Sequence, residues 1–316
     1  MNNNSLPILF MGSDPFSLPA LEALACKELI IGVVTQPDKL QGRGLILKPG
    51  MVKIKALELG LPVYQPEKLK SPEAIAQIRE LNPGLIVTAA YGQLIPKEII
   101  ELPPLGCINL HPSLLPKYRG ATPVEGALMA GEEVTGNSVF FMDQGWDTGD
   151  IIIQEATPIL PQETGGEIRD RLAISGAELL LRAVELIRHG EAPRISQNKN
   201  AGNYSRMLKK EDLLIDWEKP ASAIHNFIRA LAPHIGAETN FRGKKLKIYR
   251  SEIKELNTAN HPSPGEVIEL LKNLGPVVKT GDEGIILLKV KPEGKNLIPG
   301  KDFLNGYRIA TGEKLD

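Results

Sequence analysis

The chain has 316 residues, of which 42% are hydrophobic and 24% are charged, close to the average for soluble globular proteins. This length fits two domains better than one, and the composition excludes disordered, collagen-like and disulfide-rich chains. The formal net charge is only −1, from 37 basic and 38 acidic residues, which by itself does not indicate a nucleic-acid-binding protein.

Membrane and metal-stabilised classes are also disfavoured by the sequence. No apolar run approaches the roughly 20 residues that a membrane-spanning helix needs. The first five residues carry no basic charge, and the apolar stretch behind them ends at Met11, so the start does not resemble a signal peptide. The cysteines, Cys26 and Cys107, lack zinc-ligand spacing. We therefore expect a cytoplasmic protein without a structural metal.

Short apolar runs alternate with helical patterns in the first third of the chain. The runs cover residues 7–11, 29–35, 61–64, 85–90 and 106–110. A helical pattern passes through Leu18 and Leu24, and Ser71 followed by a proline predicts a helix from there to about Leu81. Continuous apolar strands that alternate with helices indicate an α/β domain, Rossmann-like, with a mostly parallel sheet and helices on both faces. Ligands of such sheets bind beyond the carboxyl ends of the strands.

The pattern changes after Thr135. Strands are predicted at 137–142 and 150–160, and a long amphipathic helix at about 164–189. Residues 190–205 are polar and lack periodicity, which predicts a linker. A further helix and several short strands are expected beyond it, at 221–231, 245–249, 266–270, 277–280 and 284–290. Many short strands separated by turns suggest a small, β-rich barrel domain.

Basic residues are concentrated in two places. Residues 206–316 contain 19 basic and 15 acidic residues, which leaves 18 basic and 23 acidic residues for the rest of the chain. Between residues 38 and 55, Asp38 is accompanied by five basic residues, Lys39, Arg43, Lys48, Lys53 and Lys55. Such clusters attract phosphate backbones, although a solvated surface is the more frequent reason for a charge run.

Asn109 and His111 lie at the end of a predicted buried strand, where the ligands of a parallel sheet bind. Being two positions apart, they share one face of the strand, so an amide and an imidazole could approach one developing oxyanion. The carboxylates Asp143, Asp147 and Asp150 belong to a glycine-rich loop that could fold over the same sheet edge. An aspartate beside His111 would fix its tautomer and favour its protonated form. These residue types leave both a transferase and a hydrolase open.

Other interpretations fit parts of this pattern. A histidine at a strand end is more often structural than catalytic, and an Asp-Gly loop is more often a turn. A calcium site within 143–150 would need the closing glutamate of an EF-hand, which the loop lacks. A nicotinamide-dependent dehydrogenase would need a G-x-G-x-x-G motif, which Gly12-Ser13-Asp14 does not provide.

Two separated motifs resemble the formyltransferases that use 10-formyltetrahydrofolate. They are NLHPSLLPKYRGATP at residues 109–123 and MDQGWDTGDI at residues 142–151. By this resemblance the catalytic asparagine, histidine and aspartate of the family are Asn109, His111 and Asp147. Residues expected at the folate are those of the SLLP segment together with two that follow another strand end, namely Ser113, Leu114, Leu115, Pro116, Tyr91 and Gly92.

Further segments are similar to the branch of this family that acts on methionyl-tRNA. Residues 35–49 resemble its insertion loop, which enters the tRNA acceptor end, and Arg43 matches the arginine of that loop. Residues 204–217 and the β-rich remainder resemble its C-terminal OB-like barrel. The residues expected at the tRNA are Lys39, Arg43, Lys48, Lys209, Lys210, Lys244, Lys245 and Lys247.

The resemblance thus implies a catalytic domain over 1–189 with a tRNA-binding loop at about 36–50, a linker over 190–205 and a tRNA-binding domain over 206–316. The implied reaction moves the formyl group to the α-amine of methionine on initiator methionyl-tRNA, without a metal, a membrane or an obligate protein partner. An amino-sugar-nucleotide formyltransferase stays open, because those enzymes share the SLLPKYRG segment. A non-enzymatic RNA-binding protein on the same fold is a second alternative, although it would not need Asn109, His111 and Asp147 together.

Overall fold

A computed structural model describes residues 6–41, 46–198, 201–256 and 262–316. The strands are β1 Pro7–Gly12, β2 Leu29–Val34, β3 Lys39–Gln41, β4 Ile46–Lys48, β5 Val63–Tyr64, β6 Leu85–Ala89, β7 Cys107–His111, β8 Arg119–Gly120, β9 Val134–Phe141, β10 Ile151–Pro158, β11 Tyr204–Ser205, β12 Ala237–Phe241, β13 Lys244–Lys254, β14 Val267–Leu271, β15 Gly275–Lys279, β16 Gly284–Pro292 and β17 Ile298–Pro299. The helices are α1 Leu18–Lys27, α2 Met51–Glu58, α3 Pro72–Glu80, α4 Lys97–Ile100, α5 Pro123–Met129, α6 Gly165–Arg188, α7 Ala221–Leu231 and α8 Gly300–Gly306.

The chain divides into two compact units. The first comprises Met1–Gly120, Val134–Pro158 and Arg169–Tyr204. The second comprises Ala121–Glu133, Ile159–Ile168 and Ser205–Asp316. Two short inserts, which include α5 and the start of α6, therefore belong to the second unit, and nothing in their local sequence pattern indicates this.

The first unit is built on a seven-stranded sheet, within the described residues, in the order β10-β9-β7-β6-β1-β2-β5. The strands from β7 to β5 pair in parallel, whereas β9 and β10 pair antiparallel at one edge. The expected mostly parallel sheet is confirmed. The central strands β1, β6 and β7 are largely buried, as expected for strands covered on both faces.

Local signals explain the helices that the sequence predicts. The Ser71 side chain accepts a hydrogen bond from the N–H of Ala74 and caps α3, which Pro72 begins. At α6, Thr164 and Glu167 bond to each other's backbone N–H in a capping box. Although α6 has 24 residues, neither it nor another helix in the described ranges combines the length and apolarity needed to cross a bilayer.

The second unit contains an antiparallel sheet in the order β12-β13-β16-β15-β14, with β17 paired to β16, among the residues described. Near the C-terminus, Leu315 bridges to Phe241 of β12, and Lys314 bridges to Glu266 beside β14. The last residues thus join the two edge strands. α7 packs Ile224 and Ile228 into the apolar core of this sheet. The expected C-terminal β domain is confirmed, with β13 extending well past the predicted strand at 245–249.

Candidate active site

The candidate site lies where β7 ends, beside the connection between β9 and β10. Asn109 and His111 are both in β7, and Asn109 pairs with Thr88 of the neighbouring β6. The first residue after β9 still pairs with β7, since the N–H of Met142 donates to the carbonyl of Cys107 at 2.7 Å. The glycine-rich loop at 143–150 therefore starts next to the strand that carries Asn109 and His111.

Thr88 sets the direction of the Asn109 amide. Its hydroxyl donates to Oδ1 of Asn109 at 2.7 Å. A carboxamide has one oxygen acceptor and one NH2 group, so occupation of the oxygen leaves Nδ2 as the free polar end. Asn109 is therefore arranged as a hydrogen-bond donor. Sequence reasoning did not identify Thr88, because its partner is in another strand.

The His111 ring is buried, with 4% of its surface exposed, and both of its nitrogens face a polar group. Nε2 lies 2.9 Å from the carbonyl oxygen of Tyr118. A carbonyl only accepts hydrogen bonds, so Nε2 carries a hydrogen and Nδ1 is the atom that gains or loses a proton. The tautomer was expected to be fixed by an aspartate; here the Tyr118 backbone fixes it.

Asp147 is the carboxylate that faces this free nitrogen. Its Oδ2 lies 3.7 Å from Nδ1 of His111 and accepts a hydrogen bond from the N–H of Gly120 at 2.8 Å. The backbone of Asp147 is left-handed, with φ 53°. Aspartate adopts that conformation more readily than most residues, and the hydrogen bond from Gly120 holds its carboxylate in place.

The other two loop carboxylates face different partners. Asp143 accepts from the N–H of Gly145 at 2.9 Å and from the hydroxyl of Thr148 at 2.8 Å, which closes the turn. Asp150 accepts from the hydroxyl of Ser196 at 2.9 Å. Within the described ranges, no group of three or more His, Cys, Asp or Glu side chains is arranged to hold a metal ion.

The SLLP segment forms a hydrogen-bonded loop directly after β7. Ser113 is fully buried and donates to the carbonyl of Lys117 at 2.6 Å. Leu115 is also buried, and its N–H donates to the hydroxyl of Ser138 at 3.0 Å. Ser113 and Leu115 thus hold the loop in place, while Leu114 and Pro116 are only half-buried and have surface available for a ligand.

Tyr91 and Gly92 follow β6 at the same edge. The Tyr91 ring is 4% exposed and packs in an apolar cluster, where its hydroxyl has no partner among the described residues. This burial raises the pKa of Tyr91 to about 12. Its carbonyl accepts from Nε2 of Gln36 at 3.0 Å. A Cβ on Gly92, where φ is 78°, would come within 2.7 Å of that same nitrogen. Because the Tyr91 ring is buried, a ligand at this edge would meet backbone groups rather than that ring.

The basic loop contains a short hairpin of β3 and β4. Lys39 and Lys48 are opposite each other in this hairpin and are both exposed. Arg43 lies outside the described residues. At the base of the hairpin, Asp38 accepts from Gln65 at 2.8 Å and from Lys53 at 2.7 Å, and these hydrogen bonds lower the pKa of Asp38.

The C-terminal lysines differ in their surroundings. Lys245 and Lys247 lie 2.5 and 3.1 Å from the buried carboxylate of Glu238, so their charges are already compensated. Lys247 also donates to the carbonyl of Ile235. Among these C-terminal lysines, Lys209, Lys210, Lys244 and Lys245 are exposed and Lys247 is half-buried.

Comparison with known proteins identifies related sequences over nearly the whole chain. The family model described as "Formyl transferase" matches residues 8–184, and the one described as "Formyl transferase, C-terminal domain" matches residues 207–308. Proteins named methionyl-tRNA formyltransferase from Symbiobacterium thermophilum and Syntrophus aciditrophicus are 44% and 45% identical to this chain over 311 residues. The alignments cover 98% of this chain and 95% and 99% of those proteins.

Similar solved structures share the fold at low sequence identity. The sugar 3N-formyl transferase WlaRD has a TM-score of 0.65 at 18% identity, covering 92% of this chain and 99% of its own. HypX from Aquifex aeolicus, in complex with tetrahydrofolic acid, has a TM-score of 0.63 at 18% identity, covering 97% of this chain and 48% of its own.

Proposed function

The chain belongs to the formyl transferase family, and we propose that it transfers the formyl group of 10-formyltetrahydrofolate to the free α-amine of methionine on initiator methionyl-tRNA. The observation that carries this proposal is the 44–45% identity over 98% of the chain to proteins named for that activity. The product would be the formylmethionyl-tRNA of translation initiation, made in the cytoplasm. Catalysis is assigned to residues 1–189, and tRNA binding to the loop at about 36–50 and to residues 206–316.

The side chains around β7 suit this chemistry. The formyl unit already has the oxidation state of the product, so its transfer needs no redox step. It needs donors for a developing negative charge on the formyl oxygen, and the Asn109 amide and the His111 ring are such donors. Leu114 and Pro116 offer an accessible apolar wall beside them for the folate.

In the proposed mechanism the methionine amine attacks the formyl carbon as the free base. A carbon–nitrogen bond forms to the amine, the bond to N10 breaks, the amine loses a proton and N10 gains one. Nδ2 of Asn109 and protonated Nδ1 of His111 stabilise the negative charge on the oxygen between these events. Because Thr88 and Tyr118 already orient both groups, little reorganisation accompanies the reaction.

Asp147 has two proposed roles. Its carboxylate, 3.7 Å from Nδ1 of His111, places a negative charge beside the ring that stabilises the formyl oxygen. It is also the nearby base that relays the amine proton, through water, toward N10. Both roles require Asp147 to stay at its present position relative to His111.

The tRNA would be held through phosphate contacts. Exposed Lys39 and Lys48 flank the hairpin of the basic loop, and Arg43 is the loop residue that the family resemblance selects. An Arg43→Ala variant should bind methionyl-tRNA more weakly and formylate it more slowly. Unchanged affinity and rate would make the assignment of the loop wrong.

Amino-sugar nucleotides are the less favoured acceptors. The sugar formyltransferases among the solved structures share only the fold, at 18% identity. The relatives at 44–45% identity match over both family models and carry the methionyl-tRNA name. The acceptor assay that follows separates the two possibilities.

The decisive experiment measures formyl transfer from 10-formyltetrahydrofolate with three acceptors in parallel. These are initiator methionyl-tRNA, elongator methionyl-tRNA and an amino-sugar nucleotide, with a reaction lacking any acceptor as control. We expect transfer only to the initiator tRNA. Transfer to the sugar, or hydrolysis of the folate without an acceptor, would contradict the proposed function.

A further inference from the structure

Arg119 is a buried cation that reaches the loop carrying Asp147. Its side chain is 1% exposed and is the largest fully buried side chain of the described residues. Its Nε donates to the carbonyl of Asp147 at 3.2 Å. Nε and Nη2 also donate to Oε1 of Gln197, at 3.1 and 2.8 Å. A buried guanidinium is costly unless its donors are satisfied, so these contacts fix its position.

Gln197 connects Arg119 to the same loop. While its Oε1 accepts from Arg119, its Nε2 donates to the carbonyls of Asp147 at 2.9 Å and Gly149 at 2.8 Å. The carbonyl of Asp147 therefore receives hydrogen bonds from both side chains. We call Arg119 and Gln197, with these two carbonyls, the loop clamp.

The segment that carries Gln197 is held in register with the sheet of the first unit. Ile195 and Ile151 exchange backbone hydrogen bonds of 2.9 and 3.0 Å. Farther along, Asn203 accepts from the N–H of Tyr118 through its side chain and from the N–H of Arg119 through its backbone. Although the sequence predicts a linker over 190–205, this part of it packs on the catalytic unit.

We propose that Arg119 and Gln197 are positioning residues for formyl transfer, which hold the backbone of Asp147 so that its carboxylate stays beside Nδ1 of His111. The clamp acts at the residue whose backbone is left-handed, a conformation that relaxes if its contacts are lost. Neither side chain is assigned a contact with the reactants. The inference rests on the proposed function for the roles of Asp147 and His111 and for the acceptor used in the assay.

Gln197→Glu keeps the hydrogen bonds from Arg119 to residue 197 and removes those from residue 197 to the two carbonyls. The carboxylate of the variant still accepts hydrogen bonds from Arg119, so the buried cation keeps a partner. It cannot donate to the carbonyls of Asp147 and Gly149, and it repels them. Gln197→Ala removes both sets of contacts. Gln77→Glu, at an exposed position of α3, makes the same chemical change away from the site and is the matched control.

The measurements are kcat per folded enzyme, KM for the folate and for methionyl-tRNA, and thermal unfolding. We expect Gln197→Glu and Gln197→Ala to lower kcat by about 10- to 100-fold, because small displacements of catalytic groups have effects of that size. Both KM values should stay within about twofold of wild type. Gln77→Glu should behave as wild type.

Two results would overturn the positioning role. One is a wild-type kcat in Gln197→Glu. The other is a lower activity fully explained by loss of folded protein, with a wild-type kcat in the protein that remains folded. If the wild-type enzyme formylates a different acceptor, the proposed function is wrong but the positioning role is still testable. The same variants are then compared using that acceptor.

Discussion

At the scale of single residues, Asn109 and His111 each have one polar end occupied by the fold and one end free. Thr88 occupies the oxygen of Asn109, and the Tyr118 carbonyl occupies Nε2 of His111. The remaining donor or titratable atoms, Nδ2 and Nδ1, are those assigned to the formyl oxygen. The fold thereby selects which atom of each residue can act in catalysis.

Thr88→Val should slow the reaction without weakening substrate binding. Valine keeps the shape of threonine but cannot hold the Asn109 oxygen, so the amide can rotate away from its donor position. We expect kcat to fall by about tenfold, equivalent to ~1.4 kcal/mol in the barrier, with both KM values unchanged. Thr135→Val, at a buried position in β9 of the same sheet, controls for the loss of a buried hydroxyl. A wild-type kcat in Thr88→Val would show that Asn109 does not depend on Thr88.

Asp147→Asn tests the charge beside His111. The Tyr118 carbonyl still fixes the tautomer of His111 in this variant, so only the negative charge and the proton relay are lost. We expect a fall in kcat of about 100-fold, at the lower end of the range for general acid–base groups. Asp150→Asn should stay close to wild type, because Asp150 faces Ser196 instead. Wild-type turnover in Asp147→Asn would remove Asp147 from the mechanism.

At the scale of elements, local signals decide what the sequence can predict. The helices α3, α6 and α7 begin and end within one or two residues of their predicted positions, because caps and 3.6-residue periodicity act within a few residues. The hairpin of β3 and β4 and the strand β12 were not predicted. These short segments are defined by pairing with other strands, and their own sequences lack a strong alternation.

The same contrast applies to the candidate site. Strand alternation predicts that Asn109 and His111 share a face, whereas the position of Asp147 came from resemblance to a family motif. Arg119 and Gly120 belong to that family segment, yet their contacts with the Asp147 loop could not be predicted. Gln197 left no signal in the sequence, because its partners are 48 to 78 positions away along the chain.

The turn from β9 to β10 requires glycine at position 149. A Cβ there would lie 1.7 Å from the carbonyl oxygen of Phe141, an atom of the backbone that cannot move aside without displacing β9. Gly149→Ala should therefore lower the free energy of unfolding by about 1–3 kcal/mol, as overpacking does. It should also lower kcat, because the carbonyl of Gly149 is held by Gln197.

Denaturant unfolding and steady-state kinetics would measure these two effects. Gly306→Ala is the matched control, since a Cβ at Gly306 would meet no atom within 4 Å. Stability and kcat of Gly149→Ala equal to those of the control would mean that the turn adapts to a side chain.

The pair of strands β12 and β13 should make stability depend on pH. Burial by itself raises the pKa of Glu238, but hydrogen bonds from Lys245 and Lys247 lower it overall. A carboxyl whose pKa is lower in the folded state stabilises the fold above its unfolded pKa, about 4.3. That contribution is lost as the pH falls through the folded value.

Glu238→Gln should consequently be less stable than wild type at pH 7, with a difference that shrinks below about pH 4. Urea unfolding at several pH values would measure it. Glu80→Gln, at an exposed position of α3, should show no such trend. A difference between Glu238→Gln and wild type that stays constant from pH 7 to pH 3 would contradict the pairing.

At the scale of the whole molecule, the near-zero net charge conceals the distribution of basic residues. Exposed lysines occur in the hairpin of the first unit and at the start of β13 in the second unit. The proposed function assigns tRNA contacts to both regions, and each region should then release its own counterions from the RNA when the complex forms.

Lys48→Ala and Lys244→Ala test this in the two units. Each should flatten the dependence of log Kd on log salt concentration by about one unit of slope, and the double variant by about two, because the phosphates they contact are separate. Lys27→Ala is the control: it removes the same charge at the end of α1, at the sheet edge opposite to the carboxyl ends of the parallel strands. If only one unit contacts the tRNA phosphates, one single variant will keep the wild-type slope, and the double variant will have the slope of the other single variant. Equal slopes for wild type and all variants would exclude both lysines from the complex, leaving Arg43 and the remaining exposed lysines to account for binding.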